Sequence, residues 1–217
     1  MLYIVATPIG NLKDISLRAV EALKSVDLIA CEDTRHSRIL LKSYNINVPT
    51  TSYYQHNRFI KAQYLLGRLK ENADIALISD AGTPGILDPG YHLINLAIKN
   101  NIPITAIPGS CALIIALVLS GKPAHKFIFE GFLPNKSAAR RRRLEELKGL
   151  NYTLVFYESC HRIVACLSDI QDIFGDRPIA VSRELTKKFE ETVRSKASNI
   201  REQFMKRRPR GEFVVVI

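Results

Sequence analysis

The chain has 217 residues, 47% hydrophobic and 24% charged, with 31 Lys+Arg against 21 Asp+Glu. This composition excludes disordered, collagen-like and coiled-coil chains, and a chain of this length buries about 70% of its unfolded surface without needing staples. The net charge of +10 points to a polyanionic partner such as RNA, DNA or an anionic membrane surface, or else to simple basic bias.

In the first half, strand-like apolar runs alternate with helical patterns. Residues 2–6 form an apolar run of strand length, and Thr7-Pro8-Ile9-Gly10-Asn11 is loop chemistry. Ser16 caps a helix with apolar positions Leu17, Val20 and Leu23. A strand at 26–31 leads through the polar turn Glu32-Asp33-Thr34-Arg35-His36 into a helix at 37–44. A helix at 57–71 follows, then a strand at 74–79, a Gly/Pro-rich loop at 80–90 and a helix at 91–99. A strand at 102–107, the turn Pro108-Gly109-Ser110 and a buried helix at 111–119 complete the half. Such a rhythm, with continuously apolar strands, predicts a parallel sheet covered on both faces.

The breaker cluster Gly121-Lys122-Pro123-Ala124-His125 marks a predicted boundary, giving domains 1–121 and 122–217. Charge changes there: residues 1–121 hold 11 Lys+Arg against 9 Asp+Glu, and residues 122–217 hold 20 against 12. Strands are predicted at 127–130, 152–157 and 179–181, a short one at 192–194, and a last one at 212–217. Helices are predicted at 136–148, 160–174 and 197–206. The fold class is therefore α/β in two domains.

Cys31, Cys111, Cys160 and Cys166 show no CxxC pair and no zinc spacing, as expected of a reduced, cytoplasmic protein without a structural metal. The N-terminus lacks a signal-peptide pattern, and the longest apolar run, 111–120, is about half a membrane span. No membrane association is expected.

Candidate chemistry sits at strand ends, where open α/β sheets bind ligands. The loop 7–11 has one glycine, so it is neither a Walker loop nor a dinucleotide fingerprint. The segment 79–90 has a bent path set by three glycines and two prolines, with Asp80 at the strand end as a ligand acceptor or a cap. Residues 108–112 present backbone N–H groups at a helix start, with Ser110 as an alternative simple cap. The turn 32–36 is either a polar helix N-terminus or a site in which Arg35 holds phosphate and Asp33 or His36 moves a proton. His56-Asn57 is a weaker signal, with Asn57 a good cap; Arg183-Glu184 reads as a buried ion pair or a site element. The run Arg140–Arg143 points around most of its helix and, with Lys136 and the cluster 206–210, is expected to form a phosphate-binding surface.

Taken in order, Tyr3-Ile4-Val5-Ala6-Thr7-Pro8-Ile9-Gly10-Asn11-Leu12, Glu32-Asp33-Thr34-Arg35, the 79–84 segment with Asp88-Pro89-Gly90-Tyr91, Glu130-Gly131-Phe132-Leu133-Pro134, Tyr157-Glu158-Ser159 and Arg183-Glu184-Leu185-Thr186-Lys187 resemble the ribosomal RNA small subunit methyltransferase I family, in the tetrapyrrole methylase-like superfamily. The resemblance runs from residue 2 to the end. It implies two α/β domains with a ligand cleft between them, a homodimer, S-adenosylmethionine as methyl donor, and 2′-O-methylation of a decoding-centre cytidine in 16S rRNA or the small ribosomal subunit. By the same resemblance the donor meets Pro8, Gly10, Asp80, Ala81, Gly82, Thr83, Pro84, Ile86, Ser110, Cys111 and Ala112 from the first domain. Tyr157, Glu158 and Leu185 would come from the second, with Asp33, Arg35, His36 and Glu184 as catalytic candidates. Family members continue past a last strand of this kind into a helical segment, whereas this sequence ends at Ile217. Two other readings stand beside it: a methyltransferase acting on a tetrapyrrole or other small molecule, and a non-catalytic RNA-binding module.

Overall fold

A computed structural model describes residues 1–217. The chain divides into two compact units, Met1–Cys111 and Ala112–Ile217.

The first unit is built on strands β1 (Leu2–Val5), β2 (Leu28–Cys31), β3 (Thr50–Ser52), β4 (Ile75–Leu77) and β5 (Ile104–Ile107), in the order β3-β2-β4-β1-β5. Every pairing is parallel, with Leu2 opposite both Ile75 and Ile104. Helices α1 (Leu17–Ser25) and α2 (Thr34–Ser43) share a core with Val5, Ile29, Cys31, Ala76 and Ile78. Across the sheet, α3 (Arg58–Lys70) and α4 (Gly90–Lys99) pack on Leu2, Ile4, Leu28, Ala30, Ile75 and Leu77. Both faces are covered, so the central strands β1, β2 and β4 have no polar side to show and their sequences are dominated by apolar residues. At about 1.5–3 kcal/mol for each fully buried Leu or Ile, these two cores are the unit's main source of stability.

One turn chemistry recurs three times. Asn45, Asn72 and Asn101 follow α2, α3 and α4 with φ of 53°, 66° and 56°. In each case the next residue's N–H reaches back to the helix: Ile46 to Leu41, Ala73 to Arg68, Ile102 to Ala97. Asparagine tolerates the left-handed conformation that closes a helix this way, and the chain turns directly toward the next strand. At the start of α1, Ser16 accepts from the Ala19 N–H at 3.1 Å, as its sequence position predicts.

The second unit carries β6 (Phe127–Phe132), β7 (Thr153–Ser159), β8 (Pro178–Arg183), β9 (Glu191–Lys196) and β10 (Glu212–Val216), ordered β6-β7-β10-β8-β9. Only β6 and β7 are parallel, joined by α6 (Ser137–Lys148). The other three pairings are antiparallel. With α7 (Ile163–Phe174) and α8 (Ala197–Lys206), α6 covers Leu154, Phe156, Phe213, Val215 and Ile217 on one face. Helix α5 (Ala112–Ser120) lies against β8 and β10 in this unit.

Several expectations change here. Strand β3 was not predicted; it has three residues, and its Thr-Thr-Ser sequence carries no apolar signal. The helix expected from residue 111 is only half buried, with Ile114 and Val118 exposed, and the two units part before it rather than after it. The short strand expected at 192–194 is a six-residue edge strand.

The arginine run does not make a phosphate surface. Arg140 is buried and bonds Asp169 on α7 at 2.6 Å; Arg141 bonds Asp169 and Asp172; Arg143 bonds Glu130 and Glu146. Carboxylates brought from α7 and β6 neutralise three of the four charges. Arg142 alone projects into solvent, 3.9 Å from Glu146.

Candidate active site

In a parallel sheet all strands end on the same edge, so the loops leaving β1, β4 and β5 emerge side by side. Here they are stitched together. Thr7 and Gly82 exchange both backbone hydrogen bonds, at 2.9 and 3.1 Å. The Thr7 hydroxyl donates to the Ser79 carbonyl at 3.1 Å, and Thr83 donates to the Ser110 carbonyl at 3.3 Å. Gly82 has φ +88°, a conformation that side chains with a Cβ rarely adopt. Gly109 lies so close to β1 that an added Cβ would stand 2.8 Å from the Ala6 Cβ. Small residues therefore let three crossings meet where the chain order reverses. The helix after β1 lies on one face of the sheet and the helix after β4 on the other, the usual location of a ligand crevice.

At this crossing Pro8, Gly82 and Pro84 are buried, Asp80, Thr83 and Ser110 are half-buried, and Gly10, Ala81 and Ile86 are exposed. Cys111 is half-buried and closes the unit.

A carboxylate cluster borders the crossing. The Asp80 carboxylate accepts from the Asp33 N–H at 3.1 Å, tying the end of β2 to the end of β4. Burial and the Asp80 charge raise the Glu32 carboxyl. Burial first, then the Glu32 charge, pushes Asp88 up to about 6, against an opposing hydrogen bond from Ser79. Glu32 and Asp88 stood in the sequence motifs without a role. Their signal was only that they flank Asp33 and precede Pro89-Gly90; the proximity that perturbs them is tertiary.

Asp88 yields a prediction about stability. Its ordinary value is 3.8, and folding raises it, so the folded chain favours the neutral carboxyl. That contribution is complete below about pH 4 and is lost as pH rises through about 6. Asp88→Asn is therefore expected to stabilise the chain by about 1–2 kcal/mol at pH 7, allowing for partial exposure, and by nothing at pH 3.5. Thermal unfolding at the two pH values measures it; equal shifts at both would refute the account.

Of the predicted catalytic residues, Asp33, Arg35 and His36 open α2 in the first unit, and Glu184 belongs to the second. Asp33 caps α2, accepting from the Arg35 N–H at 2.8 Å, and its carboxylate is gripped by the Arg35 guanidinium at 2.8 and 3.1 Å. Hydrogen bonds from Arg35 hold it well below the usual carboxylate range, which makes it a weak base. His36 is exposed on α2. Asn57 stands at the N-cap of α3, as expected, but its side chain makes no capping bond and instead bonds the Tyr54 N–H and the Ser52 carbonyl.

Glu184 belongs to the second unit, in a left-handed conformation with φ 49°. Arg183 pairs with Glu191 rather than with Glu184, which instead bonds Lys187 at 3.0 Å and the Glu212 N–H at 3.1 Å. Burial alone would raise the Glu184 carboxyl, but those bonds bring it below its ordinary value. A Cβ at Gly211 would collide with the Glu184 carboxyl, so glycine is what admits this side chain. Also in this unit, the Tyr157 hydroxyl accepts from the Leu113 N–H at 3.2 Å, which places the end of β7 beside Ala112 at the start of α5. The Glu158 carboxylate is fully buried, bonded to the Ser159 N–H and 3.1 Å from Arg162; Leu185 is buried as well.

Residues 1–201 match the family model described as Tetrapyrrole (Corrin/Porphyrin) Methylases. The chain is 48% identical over 220 residues to ribosomal RNA small subunit methyltransferase I of Haemophilus influenzae, covering all of this chain and 78% of that protein. It is 45% identical to the protein of the same name from Thermotoga maritima, covering all of this chain and 97% of the other. Among solved structures, uroporphyrin-III C-methyl transferase from Thermus thermophilus complexed with S-adenyl homocysteine aligns with a TM-score of 0.68 at 16% identity, over 99% of this chain and 96% of that one; it shares the fold.

Proposed function

This chain belongs to the tetrapyrrole (corrin/porphyrin) methylases and, within them, to the ribosomal RNA small subunit methyltransferase I family, and from that membership we propose that it transfers a methyl group from S-adenosylmethionine to the 2′-oxygen of a decoding-centre cytidine in 16S rRNA. The observation that carries the reading is identity of 45–48% across the whole chain to proteins of that name.

The first unit's crossing suits the donor. S-adenosylmethionine, when bound, supplies a methyl made electrophilic by a positively charged sulfur. Glu32, Asp80 and Asp88 lend negative charge to the crossing, which favours a cation beside it over a neutral product. Gly82 and Gly109 let the three crossings pack directly on one another, which fixes the backbone path that a donor would meet there. In-line transfer needs chiefly alignment of the ribose oxygen with the methyl carbon. Asp33, bound by Arg35, is a poor acceptor for the hydroxyl proton. The same reading has a homodimer working in the cytoplasm on ribosomal subunits. No helix is long and apolar enough to cross a membrane.

The test is transfer of labelled methyl from S-adenosylmethionine to small subunits that lack the modification. Label recovered in a ribose-methylated cytidine is the expected result. A protein that binds the donor by calorimetry yet labels only a tetrapyrrole, or nothing, contradicts the proposal.

A further inference from the structure

Residues 34–70 contain seven Lys/Arg and no Asp/Glu, while all nine acids of residues 1–111 lie outside them. Charge counted over the whole half hides this segregation. The segment comprises α2, β3 and α3, and β3 is an edge strand, so the acid-free stretch wraps one border of the first sheet. The exits of β2 and β3 open at the same end of the sheet as the crossing, and Asp33, just before the segment, is bonded to Asp80. The cationic border thus begins at the rim of the candidate site.

Aromatic rings stand outward among these cations. On α3, Phe59 is 59% exposed and Tyr64 is 47% exposed. The Arg58 guanidinium lies 4.8 Å from the Phe59 ring centre, and the Lys61 ammonium 4.8 Å from that of Tyr64. Arg68 reaches the Tyr64 hydroxyl at 3.5 Å, and His92 on α4 meets Phe59 edge-on at 4.8 Å. Arg68 has a weak carboxylate partner in Glu71 at 3.8 Å, whereas Arg58 and Lys61 have none. Exposed aromatic side chains interleaved with cations that have no carboxylate partner match the two parts of a single-stranded nucleic acid, its unstacked bases and its phosphates. A second copy of the same face would set cation against cation across a two-fold axis.

We propose that the outward face of α3 is the surface along which a single-stranded segment of the RNA substrate lies, with bases against Phe59 and Tyr64 and phosphates against Arg58 and Lys61. The inference rests on the rRNA reading and adds to it where the RNA runs.

Two pairs of substitutions test it on the full chain, with binding of a fluorescent single-stranded RNA oligonucleotide followed by anisotropy over a range of salt concentrations. Phe59→Ala with Tyr64→Ala is expected to weaken RNA binding about tenfold or more. Arg58→Gln with Lys61→Gln is expected to weaken it and to flatten the salt dependence by roughly 1.4 in log–log slope, about 0.7 for each phosphate no longer neutralised. Both pairs should keep the wild-type heat of S-adenosylmethionine binding and the wild-type unfolding midpoint, since all four side chains lie outside the crossing and the cores. Unchanged RNA affinity and slope in both pairs overturns the proposal. So does a Phe59→Ala/Tyr64→Ala protein that sediments as a smaller species while binding RNA normally, which would make the face a contact between copies. Failure of the rRNA reading has a separate signature, wild-type protein that transfers no label to subunits, and the oligonucleotide measurement is scored independently of it.

Discussion

Arg140→Ala is expected to lower the free energy of unfolding by about 3 kcal/mol or more, whereas Arg142→Ala, two residues away, changes it by less than about 0.5 kcal/mol. Arg140 is 3% exposed and Asp169 is 5% exposed. The Arg140 guanidinium gives Asp169 two bonds, at 2.6 and 2.7 Å, and a third goes to the Asn135 carbonyl at 3.2 Å. Removing it leaves a carboxylate between α6 and α7 with only the Ser137 hydroxyl and the half-exposed Arg141 for company. A buried pair adds little net stability when intact, because both ions were taken out of water; breaking one side exposes the full desolvation cost of the other. The double replacement Arg140→Met with Asp169→Leu should therefore recover most of that stability. Urea unfolding of the four proteins decides the matter. Equal destabilisation by Arg140→Ala and Arg142→Ala would mean that the pair is not buried as described.

Gly82→Val carries the largest expected effect on ligand binding. The residue has φ +88°, and even a bare Cβ would meet Ile9 at 3.4 Å and the Ser110 carbonyl at 3.6 Å. Valine adds two methyl groups in that space and disfavours the left-handed conformation strongly. The backbone strain is worth about 1–3 kcal/mol, and relieving it means parting the Gly82–Thr7 hydrogen bonds that hold the crossing together. Donor affinity measured by calorimetry is expected to fall by at least about tenfold. Gly67→Ala serves as the control. A Cβ there meets nothing within 4 Å, so the helix should gain about 0.5–1 kcal/mol with donor affinity unchanged. Wild-type affinity in the Gly82→Val protein would remove this crossing from the donor site.

How far the sequence could be read depended on how local the governing interaction was. Apolar runs at 2–6, 26–31 and 74–79 marked β1, β2 and β4 because burial on both faces leaves a continuous apolar signature. Ser16 marked α1 because a cap is a contact across three residues. Strand β3 was invisible: three hydroxyl-bearing residues at an edge hold their place by pairing with β2, and nothing in Thr50–Ser52 encodes that partner. The arginine run misled for a related reason. Its basic signal lay in four consecutive residues, but Asp169, Asp172 and Glu130, which cancel most of it, come from other elements. The acid-free stretch at 34–70 was present in the sequence throughout and was masked by averaging over the half.

The sequence alone determined the two-domain α/β class, the order of the motifs and the family to which they belong, because periodicity, caps and ordered motifs are properties of neighbouring residues. Only the tertiary structure decided which charges remain free and which carboxylates perturb one another. Glu32, Asp80 and Asp88 lie up to 56 positions apart in the chain and act on one another only after β2 and β4 are laid side by side. Electrostatic energy depends on distance and burial, and both are set by packing that no short stretch of sequence contains.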